Sequence, residues 1–197
     1  TLDYFGRWKA AHYGAQRLLS PVSILHKRMG YSVSFTAYND RIKEYSGTLT
    51  YRVLDSDNRE LHRGTLECQS LASASSRELG TLNFAEYIDG YERERYLAYS
   101  YSDGIRTREA TVFFVPKKHF KFKNPAIRAT VSGSGKHFDV TLYSAGFAGK
   151  VWLQFANTDA VFSENGFDMT PNSSIVCMIG IGNFRNIGTS GQSISFQ

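Results

Sequence analysis

The sequence predicts an all-β protein with two immunoglobulin-like antiparallel β-sandwiches, preceded by one N-terminal α-helix. Most of the 197 residues alternate between apolar and polar side chains, which is the period of a half-buried strand. Turn-forming residues interrupt this alternation at short intervals, as they do in antiparallel sandwiches. A chain of this length holds one large domain or two small ones at roughly 100–150 residues each, and the pattern favours two.

The helix is predicted in residues 1–20. Side chains of one helix face recur there at three- and four-residue spacing, namely Tyr4, Trp8, Ala11, His12, Ala15, Leu18 and Leu19. Asp3 has a side chain suited to an N-cap, and Pro21 should end the helix because the residue before a proline avoids the helical region. A face this aromatic requires an apolar partner. We therefore expect the helix either to fold back on the first sandwich or to pair with a second copy of the chain.

Residues 21–118 predict the first sandwich. Alternating or extended segments lie at 31–39, 48–53, 61–69, 79–82, 96–102 and 106–115. The Asp103-Gly104 pair between the last two is the strongest hairpin signal in the chain, because both residue types tolerate a positive φ. The apolar side chains expected on the inner face of these strands are Val33, Phe35, Ala37, Leu49, Tyr51, Val53, Ala110, Val112 and Phe114.

Residues 119–197 predict the second, smaller sandwich, and a linker at 116–125 leads into it. The inner faces expected along its strands are Ile127, Ala129 and Val131, then Phe138, Val140 and Leu142, then Val151, Leu153 and Phe155, then Ile175, Cys177 and Ile179, and finally Ile194 and Phe196. We interpret the Gly- and Ser-rich stretch 180–193 as a loose turn before the final strand. About six or seven strands in this length fit a small immunoglobulin-like domain.

The basic charge of the chain is spread thinly. Its 23 Lys and Arg against 18 Asp and Glu leave a net charge of +5, whereas a nucleic-acid footprint is a clustered basic face. The densest basic cluster lies in the predicted linker and is interpreted as a solvated charge run; it comprises Lys117, Lys118, Lys121 and Lys123. No apolar run approaches the ~20 residues of a membrane span. We therefore expect neither a nucleic acid nor a membrane as partner.

The two cysteines, Cys68 and Cys177, lie one in each predicted sandwich. Both fall in alternating apolar runs, which predicts buried thiols that pack as small hydrophobic side chains. A disulfide between them would require Cα atoms within about 7 Å, which two separate domains do not favour. The cysteines therefore indicate neither a disulfide framework nor a redox compartment.

No pattern in the chain predicts catalysis, a cofactor or a metal. The histidines are scattered without metal-ligand spacing; they are His12, His26, His62, His119 and His137. Segment 55–58 shares acidic residues with a calcium loop but lacks its glycine and closing glutamate, so we interpret it as a turn. We assign no catalytic, cofactor-binding or metal-binding residue from the sequence.

Two carboxylates have both a catalytic and a structural interpretation. Glu92 and Glu94 are close in sequence, and glycosidases work with paired carboxylates. Arginines are interleaved with them, however, which favours surface ion pairs. Asn172 begins a glycosylation sequon, which has meaning only on a eukaryotic secretory route.

A group of tyrosines also has two interpretations. Exposed aromatic rings could form a platform on which sugars stack, whereas tyrosines in strands commonly pack against their neighbours, which is the interpretation favoured here. The residues concerned are Tyr87, Tyr91, Tyr99 and Tyr101.

Three stretches of the sequence carry a resemblance to known proteins. They are Asp-Tyr-Phe-Gly-Arg-Trp-Lys-Ala-Ala-His-Tyr at 3–13, Phe-Val-Pro-Lys-Lys-His-Phe at 114–120, and Phe-Ser-Glu-Asn-Gly-Phe-Asp-Met-Thr-Pro at 162–171. They resemble, in this order, three features of the β-mannosidases of glycoside hydrolase family two. These features are the last helix of the catalytic barrel, the junction of the two C-terminal sandwiches, and the signature of the terminal immunoglobulin-like domain. The chain departs from the family pattern at Met169-Thr170 and Asn172-Ser173.

The resemblance implies a parent enzyme that removes terminal β-mannose with retention, through two barrel glutamates that have no match in this chain. Residues 1–20 would be the terminal helix of the barrel, and the two sandwiches a non-catalytic accessory fragment that braces it. The implied partners are the catalytic barrel of the parent chain, a β-mannoside or manno-oligosaccharide, and a second copy bound through the N-terminal helix. The alternative function is an independent carbohydrate-binding module that recognises mannan.

Overall fold

The computed structural model describes residues 2–4, 8–134, 137–155, 160–171, 173–180 and 194–196, of which 134, 137, 155, 173–180 and 194–196 are described by their backbone alone. The chain divides into two compact units. We call Leu18–Lys123 the first sandwich, and Asn124–Gln197 together with Thr1–Arg17 the second sandwich. The predicted fold class is confirmed, because antiparallel sheets dominate both units and one helix lies near the N-terminus.

The first sandwich consists of two antiparallel sheets. After helix α1 (Ala10–Leu18), its elements are β1 (Val22–Met29), β2 (Ser32–Asn39), β3 (Tyr45–Asp55), β4 (Glu60–Leu71), β5 (Ser75–Asn83), α2 (Ala85–Ile88), β6 (Arg95–Ser102) and β7 (Thr107–Phe113). One sheet has the order β1-β2-β5 and the other the order β4-β3-β6-β7. The predicted inner face of this sandwich lies in its core, buried throughout except for the half-buried Ala110. The free thiol of Cys68 is buried in the same core, as predicted.

Two elements of the first sandwich have no counterpart in the sequence prediction. Strand β1 is the outermost strand of its sheet, and only its first three residues are buried. Its exposed part therefore lacks the apolar alternation on which the prediction depends, as outermost strands commonly do. Helix α2 contains four residues, which is too short for a helical period to be recognised.

The second sandwich is built from shorter strands. They are β8 (Arg128–Ser134), β9 (His137–Ser144), β10 (Ala148–Val151), β11 (Leu153–Phe155), β12 (Val161–Phe162), β13 (Phe167–Met169), β14 (Ser173–Gly180) and β15 (Ile194–Phe196). The largest sheet has the order β12-β14-β9-β8, and β10 pairs with β13 and β11 with β15. Val140, Leu142, Val151 and Leu153 are buried as predicted.

One inner face of the second sandwich is predicted correctly only at Ile127, which packs against the core. Ala129 and Val131 of β8 are exposed, because β8 is the outermost strand of its sheet and alternation on such a strand does not report burial. The inner faces predicted at 155, 175–179 and 194–196 involve side chains outside the description. The loose turn predicted at 180–193 falls, from residue 181 onward, outside the described residues, and so does Asn172.

The predicted linker is largely part of the first sandwich. Residues Lys117–His119 form a 3₁₀ turn, and the buried Phe120 packs edge-on against Tyr96 and Phe113, with ring centroids 5.8 Å and 4.8 Å away. A solvated tether would leave this ring exposed. The prediction of a linker beginning at residue 116 is therefore wrong.

The exposed lysines of this segment contact the same sandwich. Lys121 forms an ion pair with Glu94, and Lys123 with Asp57. Both ion pairs are substantially exposed to solvent, so they contribute little to stability. The side chains of Lys121 and Lys123 are thus more than half exposed, as a solvated charge run predicts, while their ammonium groups are paired with carboxylates of the sandwich.

Helix α1 differs from its prediction in length and in orientation. It begins at Ala10 and not near Asp3, and it ends at Leu18, ahead of Pro21. Tyr4, placed on the helix face by its spacing, lies outside the helix with 96% of its surface exposed.

Candidate functional site: a docking site for the N-terminal helix

The partner of α1 is the second sandwich, so the expectation that the helix folds back on the first sandwich is wrong. Tyr13 is the one α1 residue that is buried, at 1% exposure, and it belongs to the core of the second sandwich. Its ring meets Trp152 edge-on at 5.7 Å, and its hydroxyl accepts a hydrogen bond from the backbone N–H of Phe162 at 3.2 Å. Trp8 packs against Tyr13 at 5.4 Å and is half-buried. The aromatic side chains of the N-terminal segment thus complete this core.

The guanidinium of Arg17 provides the polar half of the docking site. It donates to the Glu164 carboxylate, with which it forms an ion pair. It also donates to two backbone carbonyls, those of Asn165 at 2.8 Å and Gly166 at 3.0 Å. Three acceptors around one planar guanidinium fix its position as well as its charge. We call Arg17 with the loop 164–166 the arginine clamp.

Asn165 holds the loop of the clamp in place. It is 1% exposed, and its side-chain oxygen accepts from the backbone N–H of Leu153 at 2.8 Å, while its amide donates to the Leu153 carbonyl at 2.9 Å. The same oxygen accepts from the N–H of Gly166 at 2.9 Å. The side chain therefore substitutes for a strand partner beside β11, leaving the loop carbonyls free to face Arg17.

Gly166 is required at the tip of this loop for two reasons. Its φ is +63°, in the left-handed region that side chains other than glycine disfavour. A Cβ at this position would also lie 3.3 Å from the Trp152 ring, closer than an ordinary contact. Trp152 in turn contacts Tyr13, so the loop, the tryptophan and the helix form one packed group.

We expect Gly166→Ala to destabilise the second sandwich by more than the roughly 1–2 kcal/mol of left-handed strain alone. Gly30→Ala is the matched control, since Gly30 has a φ of +60° and no atom within 4 Å of the added Cβ. Urea unfolding of each variant measures the difference. An equal loss in both variants would show that contact with Trp152 contributes nothing.

The two candidate catalytic carboxylates have structural partners. Glu94 pairs with Lys121 and not with the neighbouring arginines, and this ion pair lowers the pKa of the Glu94 carboxyl. The Glu92 carboxylate accepts from the Tyr31 hydroxyl, which also lies 2.9 Å from Asp89 Oδ1. The hydrogen bond lowers the pKa of Glu92 and the two carboxylates raise the pKa of Tyr31. A general acid requires a raised carboxyl pKa, so neither glutamate is tuned for that role.

The neighbouring arginines make other contacts. Arg93 Nε donates to the His119 carbonyl at 2.8 Å, and Arg95 donates to the Tyr87 carbonyl at 2.7 Å. The surface ion pairing favoured for these glutamates is therefore found at Glu94, where the partner is Lys121, while the two arginines donate to backbone carbonyls. Residues 92–94 form a turn in which the backbone N–H groups of Glu94 and Arg95 both donate to the Tyr91 carbonyl, so the alternation of charges along the sequence does not decide which groups meet.

The tyrosines considered as a sugar platform mostly serve packing, as favoured. Tyr99 and Tyr101 are buried in the core of the first sandwich. Tyr87 is half-buried and stacks on His62 with ring centroids 4.7 Å apart. Tyr91 is exposed, but the Arg95 guanidinium lies 3.7 Å from its ring centroid. These four rings do not share one open face.

Within the described part of the chain, no three His, Cys, Asp or Glu side chains come together as metal ligands would. The Asp55 side chain accepts from the backbone N–H groups of Asp57 and Arg59 at 2.8 Å and 2.9 Å. Segment 55–58 therefore forms a turn, as predicted. Among the described helices, none has the length and apolar character needed to cross a membrane.

The two residues on which the docking site depends were not predicted from the sequence. Tyr13 is absent from the predicted helix face and Arg17 has no predicted role. One signal was available, since the motif that includes Glu164, Asn165 and Gly166 has acceptor groups and a glycine without an assigned partner. That partner is an arginine 147 positions earlier in the chain, a separation that no local pattern reports.

The fold and the site define a class: tandem immunoglobulin-like sandwiches of which the second binds a helix from the N-terminal segment. Two family models match this chain. A model described as a mannosidase Ig/CBM-like domain matches residues 32–119, and an Ig-fold domain model of the mannosidase type matches residues 122–179. The chain therefore carries these two mannosidase-type domains in succession, and the predicted resemblance is confirmed.

Two solved structures share the fold of this chain at low sequence identity. A β-D-mannosidase from Dictyoglomus thermophilum matches 99% of this chain with a TM-score of 0.79 at 16% identity. The exo-chitosanase CsxA from Amycolatopsis orientalis matches 90% with a TM-score of 0.65 at 13% identity. This chain spans 24% and 25% of the length of those two proteins. None of the curated protein sequences matches it.

Proposed function

We propose that this chain is the C-terminal accessory part of a retaining β-mannosidase, and that it stabilises the catalytic barrel of its parent without taking part in the chemistry. In this proposal residues 1–20 close the barrel, and residues 21–118 and 119–197 form the two accessory domains. The two mannosidase-type domain matches support a glycosidase parent. The observation that carries the stabilising role is the arginine clamp, through which the second sandwich binds the end of α1.

The clamp suits a stabilising role because of what it binds. Arg17 lies in the last turn of α1, and its three acceptors belong to one rigid loop of the second sandwich. Tyr13 adds apolar burial one turn earlier in the same helix. A helix that ended a barrel would thereby gain a second support outside the barrel, at its C-terminal end.

We expect Arg17→Ala in the full-length parent to shorten the half-life of β-mannosidase activity on heating, with little change in the initial rate before heating. Removing the guanidinium takes one donor away from the Glu164 carboxylate and from each of two carbonyls, and hydrogen bonds to charged groups contribute about 1.5–3 kcal/mol. The measurement is residual hydrolysis of an aryl β-D-mannoside after timed incubation.

Arg63→Ala is the matched control for this experiment, because Arg63 pairs with Glu60 on β4 of the first sandwich and this exposed pair involves no residue of the clamp. Its half-life should equal that of the unmodified parent. If Arg17→Ala also retains that half-life, the clamp does not support the barrel. Hydrolysis of an aryl β-D-glucosaminide in preference to the mannoside would contradict the proposed substrate.

The chain without the barrel should release no mannose from the same substrate. Retaining hydrolysis requires two carboxyl groups roughly 5–5.5 Å apart beside the scissile bond, and we place both in the barrel. Release of mannose by the 197-residue chain would show that the active site has been misplaced.

The alternative function, an independent mannan-binding module, has a separate test. Such a module presents aromatic rings on one open face, whereas Tyr99 and Tyr101 are buried. Calorimetric titration of the chain with manno-oligosaccharides should therefore give no saturable heat. Saturable heat at millimolar ligand or below would favour the binding module.

Self-association through the N-terminal helix stays a prediction. The side of α1 that carries Tyr13 is occupied by the second sandwich, while Leu18 at its end is exposed. Sedimentation of the chain over a range of concentrations tests whether this remaining surface forms a dimer.

A further inference from the structure

The loop of the arginine clamp contains the one Asn-Gly pair of the sequence, Asn165-Gly166. Asparagine is most prone to deamidation when glycine follows it, because glycine has no side chain to hinder attack by its backbone nitrogen on the asparagine amide. Both residues also serve the clamp, since the backbone carbonyl of each accepts from Arg17. The position of the chain best suited to this reaction therefore lies inside the contact that holds α1.

Deamidation proceeds through a cyclic imide, with water as the only co-reactant. The Gly166 nitrogen loses its proton to solvent and attacks Cγ of Asn165, so that a new N–Cγ bond closes the ring. The Cγ–Nδ2 bond breaks, and the amide nitrogen takes up a proton from solvent and leaves as ammonia. Water then opens the ring. Cleavage of the N–Cγ bond gives aspartate, and cleavage between the same nitrogen and the main-chain carbonyl carbon gives isoaspartate.

The folded loop holds each polar group that this reaction must move. The Asn165 side-chain oxygen accepts from the Leu153 N–H, and its amide nitrogen, the leaving group, donates to the Leu153 carbonyl. The attacking nitrogen of Gly166 directs its N–H at the oxygen of that amide, 2.9 Å away. A donor approaches a carbonyl near its plane, whereas a nucleophile approaches the carbon from outside that plane. The ring therefore cannot close until the loop rotates.

Arg17 opposes this rotation. Ring closure turns the peptide unit between Asn165 and Gly166, and the oxygen of this unit accepts from the guanidinium at 2.8 Å. The next carbonyl, that of Gly166, accepts from the same group at 3.0 Å. Hydrogen bonds from a charged donor are roughly twice as strong as neutral ones. Rotation of the peptide unit therefore requires the clamp to release first.

We propose that Asn165-Gly166 is a deamidation site that the arginine clamp protects, and that release of α1 from the clamp makes it reactive. Asn165 is 1% exposed while α1 is docked, which limits the access of water and of base. The inference does not depend on the proposed function, because every group in it belongs to the second sandwich.

The change is one-way because the product does not fit the loop. An oxygen replaces the amide nitrogen that donates to the Leu153 carbonyl, and an ionised carboxylate cannot donate a hydrogen bond. Isoaspartate in addition lengthens the main chain by one methylene group. The modified loop thus loses its pairing with Leu153, and deamidation of Asn165 records irreversibly that α1 has left its site.

The test is timed incubation of the 197-residue chain at mildly alkaline pH, with mass spectrometry of the peptide that contains Asn165. The mass gain of deamidation gives the rate, and an assay for isoaspartate identifies the imide route. We expect the folded unmodified chain to react several-fold more slowly than folded Arg17→Ala, and both to react at one rate in urea. Equal rates for the two folded proteins would overturn the proposal.

Two further variants separate the clamp from folding in general. Arg63→Ala removes an exposed ion pair of the first sandwich and should react like the unmodified chain; acceleration there would contradict the proposal. Arg17→Lys keeps the positive charge but lacks the planar fork that reaches both carbonyls. Its rate should exceed that of the unmodified chain, and this holds as a test even if Arg17→Ala does not fold. An Arg17→Lys protein that reacts no faster would overturn protection by the guanidinium.

Gly166→Ala in urea tests the chemistry apart from the fold. The added methyl group hinders the attacking nitrogen, so deamidation of Asn165 should be several-fold slower than in the unfolded unmodified chain. An unchanged rate would show that the mass gain does not arise through the Gly166 nitrogen and would overturn the proposal.

The one-way character of the change has its own measurement. Asn165→Asp carries the product at this position, and its tryptophan fluorescence should change at a lower urea concentration than that of the unmodified chain. Asn124→Asp is the matched control, because Asn124 is exposed and its side-chain oxygen accepts from the Ala126 N–H at 2.9 Å, as a carboxylate also can. Equal midpoints for the two variants would show that the product fits the loop, contrary to the proposal.

Discussion

Tyr13→Ala should destabilise the second sandwich by about 3–5 kcal/mol, the range for truncating a fully buried aromatic side chain. The substitution removes a ring from the core formed with β9–β13 and leaves a cavity beside Trp152. It also removes the oxygen that accepts from the Phe162 N–H. Both tryptophans of the chain, Trp8 and Trp152, lie in this unit, so the urea dependence of tryptophan fluorescence reports its unfolding selectively.

Two further variants divide this effect into its parts. Tyr13→Phe keeps the ring and removes only the hydroxyl, so about 1 kcal/mol should be lost. Tyr4→Ala changes the same residue type in the same segment at 96% exposure and should leave the transition nearly unchanged. A Tyr13→Ala protein that unfolds at the urea concentration of the unmodified chain would show that α1 is not part of this core.

The strands of the first sandwich could be predicted because burial there follows the local pattern. Val33, Phe35 and Ala37 occupy alternate positions on a strand that has a hydrogen-bonded neighbour on each side, so their period reports the core directly. On β8 the same alternation is present without burial, since Val131 is exposed on an outermost strand. Whether a strand is central or outermost depends on the whole fold, so the local alternation of apolar and polar residues cannot predict it.

The docking site could be predicted only in part for the same reason. The resemblance drew attention to the motif that contains Glu164 and Gly166, but the purpose of its acceptors depends on Arg17, which is distant in sequence. Helical spacing identified an aromatic segment correctly and chose the wrong face. Tyr13 is buried because a particular sandwich lies beside it, and tertiary contacts of this kind decide the face of a short helix.

Asp103→Ala should lower the free energy of unfolding of the first sandwich by about 3–5 kcal/mol. Removing one partner of a buried ion pair is strongly destabilising, and here the substitution takes a carboxylate away from the Arg108 guanidinium, whose side chain is 14% exposed. The N–H groups of Ile105 and Arg106 lose their acceptor as well. The loss should appear in far-UV circular dichroism on urea unfolding, without an earlier transition in tryptophan fluorescence, because the tryptophans belong to the other unit.

The matched control is Asp57→Asn, which removes an exposed ion pair with Lys123. Exposed pairs contribute little, so this variant should unfold with the unmodified chain. Similar losses in Asp57→Asn and Asp103→Ala would show that burial does not determine how much the Asp103 carboxylate contributes to the free energy of unfolding.

The contribution of Asp103 should disappear in acid. Burial by itself raises the pKa of this carboxyl, but donors from Arg106, Ile105, Arg108 and Ser20 outweigh it and hold the pKa below its ordinary value. A depressed folded pKa means that the stabilisation is complete above the unfolded value of about 3.9 and is lost as the pH falls through the folded one. Asp103→Asn resembles the protonated side chain in shape, so its stability deficit should be constant near neutral pH and should shrink below about pH 4.

Salt distinguishes this effect from ordinary surface electrostatics. Exposed pairs such as Asp57 with Lys123 are screened at high ionic strength, whereas buried pairs are screened much less. The deficit of Asp103→Asn at neutral pH should therefore persist in 1 M salt, where the Debye length is about 3 Å. A deficit that vanished in salt, or that did not change between neutral and acidic pH, would mean that the charge of Asp103 does not stabilise the first sandwich.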